Sequence, residues 1–167
     1  MYAIVDIETT GSAAAYGKIT EIAILIHDGQ RVVDEYQTLI NPECGIPMGI
    51  TSLTGISNEM VMNAPKFFEV AKEIHQLLEG NIFVAHNVNF DYSFIKKEFV
   101  ELGGTLNLSK LCTVRLTRKV FPGLKSYSLG RLADHFNIEN AARHRAMGDA
   151  RATAILMNLL IANETGQ

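Results

Sequence analysis

The stretch Tyr2-Ala3-Ile4-Val5-Asp6-Ile7-Glu8-Thr9-Thr10-Gly11 decides how the rest of the chain is read. It begins as a short apolar run and ends in acids, the pattern of a buried strand. One residue separates Asp6 from Glu8, so a two-residue side-chain period puts both carboxylates on the same side of that strand. Close like charges repel, and each loses hydration beside a core. A divalent cation resolves both problems, because hard cations such as Mg²⁺ prefer carboxylate oxygens. The competing reading leaves one of the two acids in solvent at a frayed strand end.

Working outward, Ile19 to Ile26 is rich in β-branched residues, and the hairpin signal Asp28-Gly29 follows it. Arg31 to Ile40 supplies the partner strand, and Pro42 and Pro47 then break the sheet. A short helix around Leu53-Thr54 stops at Gly55, and Ser57 or Asn58 caps the segment after it. Pro65 opens a clearer helix that Gly80 ends. Asn81 to His86 reads as a buried strand of the parallel kind, and Phe90 to Leu102 as a helix closed by Gly103-Gly104. A strand end near Leu111 leads into a basic helix. Ser126 or Ser128 caps another, and Ala146 to Ala162 forms the last. The sum is three antiparallel strands, then helices alternating with strands: an α/β fold with a mixed sheet, in a single domain over 1–167.

The bulk features narrow the class. With 167 residues, 47% hydrophobic and 20% charged, the chain is a globule rather than a disordered or collagenous segment. The start lacks a basic segment before its apolar run, which ends at Asp6, so no signal peptide is expected. No apolar stretch has the length of a membrane span. Cys44 and Cys112 lack paired spacing and read as structural thiols in a reducing compartment, which places the protein in the cytoplasm.

Two further acids sit where chemistry gathers in such sheets, at strand ends and helix starts. Asp91 follows the buried strand, in His86-Asn87-Val88-Asn89-Phe90-Asp91, in the first turn of the next helix. Taken alone it is a favourable charge at a helix N-terminus. Asn87 and Asn89 read as caps, and His86 as a buried supporting residue. Asp149 opens the last helix in His144-Arg145-Ala146-Met147-Gly148-Asp149. His144 precedes the regular helix and can arch over whatever Asp149 holds, where an imidazole suits proton abstraction near neutral pH. Four carboxylates and a histidine at one sheet edge are what two-metal phosphodiester hydrolysis requires.

These three motifs, Asp6-Ile7-Glu8-Thr9-Thr10-Gly11, His86 to Asp91 and His144 to Ala150, resemble those of the DEDDh 3′→5′ exonucleases. That family includes the proofreading ε subunit of bacterial DNA polymerase III and the exonuclease domain of Gram-positive polymerase C. Leu53-Thr54-Gly55-Ile56 followed by Ala64-Pro65 is similar to the same branch, and the likeness runs over residues 1–162. The resemblance implies a ribonuclease H-like fold, with a mixed five-stranded sheet flanked by helices and only its second strand reversed. It implies that Asp6, Glu8, Asp91 and Asp149 hold two Mg²⁺ or Mn²⁺ ions and that His144 is the general base. It places Thr9, Thr10, Leu53 and Phe90 near the terminal 3′ nucleotide, and makes a nucleoside 5′-monophosphate the product.

DNA 3′ ends are the first expectation for the substrate, in replication proofreading or repair. A ribonuclease T-like RNA exonuclease is the alternative. A non-catalytic nucleic-acid-binding domain is a third reading, disfavoured because all four acids and the histidine are present. The ε subunit continues into a segment that tethers it to its polymerase, whereas this sequence ends about five residues past its last helical pattern. A polymerase catalytic subunit is thus a less secure expectation than the exonuclease chemistry, and action alone or within a longer repair protein is equally open.

The net charge of -3 argues against a nucleic-acid partner only as an average. Residues 1–95 carry 4 basic and 12 acidic side chains, and residues 96–167 carry 11 and 6. Lys110 to Arg131 holds six cations and no acid, a candidate track for a nucleic-acid backbone. Adding two divalent ions to the sum turns -3 into about +1.

Overall fold

The computed structural model describes residues 1–164, so the expected domain runs three residues beyond the described ones. Five strands form one sheet in the order β3-β2-β1-β4-β5. They are β1 (Tyr2–Thr9), β2 (Ile19–His27), β3 (Val32–Leu39), β4 (Ile82–Ala85) and β5 (Lys110–Cys112). β1–β2 and β2–β3 are antiparallel, and β1–β4 and β4–β5 parallel, so β2 alone runs against the rest, as the resemblance implies. The helices are α1 (Met48–Thr54), α2 (Asn58–Met62), α3 (Phe67–Leu78), α4 (Val88–Glu101), α5 (Thr113–Val120), α6 (Leu129–Phe136) and α7 (Ala146–Glu164).

Alternation along β1 sorts its side chains into two layers. Ala3, Val5 and Ile7 join Ile22, Ile24 and Ile26 of β2 under α3 and α4, with Ile74, Leu78, Phe94 and Phe99 filling the space. Ile4 faces the other way with Ala23, Leu25 and Val84, covered by Ala146, Ala150, Ala154 and Met157 of α7. Alanines four residues apart keep one face of α7 slim, so the helix lies close on the sheet. Its opposite face, with Ala152, Leu156 and Leu160, packs on Leu132 and Ala133 of α6. Both layers being covered is why every residue of β2 is buried.

Element starts and stops follow local chemistry. Ser57 accepts a hydrogen bond from the Met60 N–H and caps α2. Gly55, with φ 75°, ends α1 in the left-handed region that favours glycine. α4 begins at Val88, two residues ahead of the expected Phe90, and Asn87 stands at its cap position with φ 68° and no capping side-chain bond. Asn89 lies within the helix instead of capping it, with Lys110 Nζ 3.5 Å from its side-chain oxygen. Both cysteines are free thiols: Cys44 is exposed, and Cys112 is half-buried and packed against the core.

β4 is short, and its length places the site. It pairs with β1 only from Tyr2 to Ile4, so from Val5 to Thr9 the central strand has an open edge on that side. The gap lies at the carboxyl ends of the parallel strands β1 and β4, where open α/β sheets bind ligands.

Candidate active site

Asp6 and Glu8 project from the open half of β1 toward the layer of α7. Asp149, in the first turn of α7, meets them there: one carboxylate oxygen from each of Asp6, Glu8 and Asp149 lies within 4.8 Å of the others. Asp91 comes from the opposite layer, on α4, and is buried at 4% exposure. Its Oδ1 accepts the Ile7 N–H at 3.1 Å, a donor that the open edge of β1 leaves without a strand partner. Asp91 is not one of the trio, yet of the neighbouring charges it acts most strongly on Asp6, and it also reaches Glu8.

The electrostatics are those of a site built for cations. Burial raises the Asp6 carboxyl well above its usual range, and the charges of Asp91, Asp149, Glu8 and Glu21 push the same way. Burial, then Asp149, Glu21 and Asp91, pushes Glu8 up to about 8, against a smaller opposing effect of Arg145. Burial takes Asp91 to about 8 despite the backbone N–H bonds it accepts. Carboxylates this crowded gain from a divalent ion that replaces their protons.

Asp149 is fixed by two donors. Asn140 Nδ2 lies 2.7 Å from its Oδ1, and the His144 N–H 3.1 Å from its Oδ2. His144 has the left-handed φ of 59°, and the Asp149 bond holds this uncommon backbone geometry in place. The loop lies so tightly on α7 that a Cβ at Gly148 would stand 2.2 Å from the Ala142 carbonyl oxygen, so no larger residue fits at 148. Asp6, His144 and Asp149 line a cleft of about 260 Å³ with His86, Ser128, Leu129, Gly130 and Arg143.

The four residues expected near the terminal nucleotide stand differently. Thr9 Oγ1 donates to the Gly11 carbonyl at 2.6 Å, and Thr10 Oγ1 accepts the Lys18 N–H at 3.0 Å, so both side chains are tied into the loop after β1. Phe90 rests its ring on Phe94, with centroids 4.9 Å apart. Leu53 is 58% exposed on α1. None of the four lines the cleft. His86 is the supporting residue expected, with its ring nitrogens 2.8 Å from Thr113 Oγ1 and from the Tyr127 carbonyl.

Glu21 escaped the sequence reading, although an acid inside the apolar run Ile19 to Ile26 is the same signal that marks Asp6. It is 5% exposed and faces Glu8 across the β1–β2 ladder. Arg145 Nε and Nη2 bond its two oxygens at 3.0 and 2.9 Å, and the Ala146 N–H adds a bond at 3.1 Å. Glu21 therefore caps α7 from the sheet and sets the helix that carries Asp149. Glu21→Ala is expected to cost about 2–3 kcal/mol in urea unfolding, less than a fully buried pair because Arg145 keeps some water. Glu21→Gln, whose one amide oxygen can still accept the Ala146 N–H, recovers part of the loss. Equal stability of Glu21→Ala and the parent protein would show that the pair does not hold α7.

The sheet order, with acids from its central strand meeting an acid of the last helix, defines a ribonuclease H-like fold. The chain belongs to the exonuclease family RNase_T, which matches residues 3–157. Members depend on divalent metal ions, and the trio of Asp6, Glu8 and Asp149 is where this chain could hold one. It is 40% identical over 157 residues to the 3′-5′ exonuclease DinG of Bacillus subtilis, covering 93% of this chain and 17% of that protein. It is 40% identical over 153 residues to the PolC-type DNA polymerase III of Caldanaerobacter subterraneus, covering 92% of this chain and 11% of the polymerase. The chain thus spans less than a fifth of the length of these relatives. Among solved structures it resembles Exonuclease X in complex with 5′ overhanging duplex DNA, with a TM-score of 0.77, 26% identity and coverage of 100% of this chain and 94% of that one. The fold also matches E. coli Exonuclease I in complex with a dT13 oligonucleotide, with a TM-score of 0.88, 20% identity and coverage of 99% and 42%.

Proposed function

We propose that residues 1–167 act as a single 3′→5′ exonuclease domain that hydrolyses the terminal phosphodiester bond of DNA and releases nucleoside 5′-monophosphates. The carrying observation is the meeting of Asp6, Glu8 and Asp149 at the open edge of β1, with the charge of Asp91 reaching Asp6 and Glu8, in a chain of the exonuclease family. These four carboxylates would hold two Mg²⁺ or Mn²⁺ ions. When bound, such ions make water a stronger nucleophile at neutral pH and offset charge on the leaving 3′ oxygen. His144 takes the proton from the attacking water, its loop held at the cleft by the bond from its own N–H to Asp149. Thr9 and Thr10, held in place by their bonds to Gly11 and Lys18, meet the terminal nucleotide, with Phe90 and Leu53 supplying apolar surface. The DNA in the Exonuclease X and Exonuclease I complexes supports this substrate, and the polymerase relative makes a polymerase catalytic subunit the partner to test. Among the described residues no helix is long and apolar enough to cross a membrane.

Matched 5′-labelled DNA and RNA single strands, incubated with Mg²⁺ or Mn²⁺, test this directly. DNA should shorten stepwise from its 3′ end, and a chelator should stop the reaction. RNA consumed much faster than DNA would make the domain a ribonuclease, and neither strand shortening would sink the proposal.

The acids also predict how stability follows pH. A carboxyl raised by folding stabilises the native state fully below its unfolded pKa, and that contribution is lost as pH rises through the folded one. For Glu8 and Asp91 the window opens near the ordinary carboxyl range and closes at about 8. The melting temperature of the metal-free protein should therefore fall across that window, and the gain on adding Mn²⁺ should grow with pH. A gain independent of pH in scanning fluorimetry would show that these carboxyls do not take up the ion.

A further inference from the structure

Ion pairing sorts the cations of this chain. Among the described residues, Lys18, Lys66, Lys97, Lys119, Arg145 and Arg151 each meet a carboxylate. Of the other nine Lys and Arg, six border one continuous depression. Arg143 lies in the acidic cleft. Lys110, Arg115, Arg118 and Lys125 line an adjoining groove of about 810 Å³ that shares His86 and Ser128 with the cleft. Arg131 lines a further hollow that shares Lys125 and Ser126 with the groove. No acid lines the groove or the hollow.

This differs from the basic run legible in the sequence. Lys119 is withdrawn by Glu164, 2.6 Å away. Arg143 joins from outside the run, its guanidinium lying where a Cβ on Gly130 would collide with it. Lys110 is seated over the Tyr92 ring at 4.7 Å and Arg118 over the Tyr127 ring at 5.2 Å, which limits the freedom that binding must remove. Two helix starts contribute as well. Asn87 and Val88 at the start of α4, and Val114 and Arg115 at the start of α5, line the groove with Cys112. Burial pushes the Cys112 thiol up, and the backbone N–H groups of these four residues outweigh it and bring the thiol below its usual range. The groove floor thus stabilises negative charge without help from side chains.

From these features we infer that the groove along α5 and the α5–α6 loop carries the sugar-phosphate backbone of the strand leading to the 3′-terminal nucleotide. The inference rests on the exonuclease reading of the adjoining cleft, and it names the path by which the substrate reaches it. Phosphate contacts fix register without reading sequence, so the track is indifferent to bases and takes DNA and RNA strands alike. Each phosphate contact also releases counterions, so affinity falls steeply with salt.

The test is binding, kept apart from turnover. A fluorescein-labelled DNA strand of about twelve nucleotides, with phosphorothioate linkages at its 3′ end, is titrated by anisotropy across a range of salt. The triple variant Arg115→Ala, Arg118→Ala, Lys125→Ala should raise Kd by about tenfold or more and reduce the salt slope by roughly one for each phosphate-binding cation removed. The control triple Arg31→Ala, Lys72→Ala, Lys96→Ala removes three unpaired cations elsewhere and should leave both unchanged. In a Cys44→Ser background, the bound strand should also shield Cys112 from maleimide. The matched RNA strand should show the same loss in the groove variant. Unchanged Kd and slope in the groove variant, or an equal loss in the control, would overturn the inference. Digestion of unmodified DNA by the parent protein reports separately on the exonuclease reading. Binding through the groove without digestion would remove that reading alone.

Discussion

Asp6→Asn should abolish hydrolysis and, at the same time, make the metal-free protein more stable. Asp6 is buried on the central strand, and the charges that act on it most strongly are other carboxylates: Asp91, Asp149, Glu8 and Glu21. Removing one negative charge relieves that repulsion and ends the cost of burying it. Without a divalent ion, and above about pH 8, where Glu8 and Asp91 are ionised beside it, the variant should melt higher by a few °C. With the ion, the parent protein should gain stability and the variant much less, because a ligand is missing. Turnover should fall by about 10³-fold or more, since a carboxylate that would help hold the ions has become a neutral amide. This opposition of stability and activity separates a metal site from a structural acid, whose loss lowers stability. Scanning fluorimetry with and without chelator, beside a digestion assay, reads all three quantities. A destabilised but active Asp6→Asn would refute the assignment.

His144→Asn should reduce turnover by about 10²–10⁴-fold and leave the stabilisation by Mn²⁺ intact. The contribution of His144 to architecture is its backbone N–H, 3.1 Å from Asp149 Oδ2, and any residue but proline retains it. Asparagine is the right replacement because the φ of 59° is one that Asn tolerates, whereas alanine adds backbone strain. His144→Ala should therefore show the same loss of turnover plus a lower melting temperature. If the imidazole is the proton acceptor, the residual rate of His144→Asn should climb with pH as hydroxide takes over from the missing base. An unchanged rate would show that a different group accepts the proton, and loss of the Mn²⁺ response would show that the ring contributes to the metal site.

Much of the fold can be read along the chain because its rules are local. The two-residue period of Tyr2 to Glu8 fixes which way Asp6 and Glu8 point, and that placement needs no knowledge of the rest of the molecule. Asp28-Gly29, Gly55 and Ser57 mark turns and helix ends through short-range geometry and hydrogen bonding. The start of α4 was less legible, because Asn87 takes a left-handed conformation and its side chain makes no capping bond to mark the boundary.

The candidate site divides along the same line. The acid pair of the first strand, the acids at two helix starts and the histidine ahead of the last helix are legible along the chain. Folding in three dimensions decided that β4 stops short of Val5, that Asp91 arrives from the opposite layer and bonds the Ile7 N–H, and that Thr9 and Thr10 are tied into the loop after β1. It also decided that Glu21 grips Arg145 across 124 positions, and that Arg143 stays free beside the cleft while Lys119 is paired. The physical reason is range: backbone geometry repeats every few residues, whereas the partner of a charge is chosen by sheet register and by how α7 docks, which no local pattern encodes.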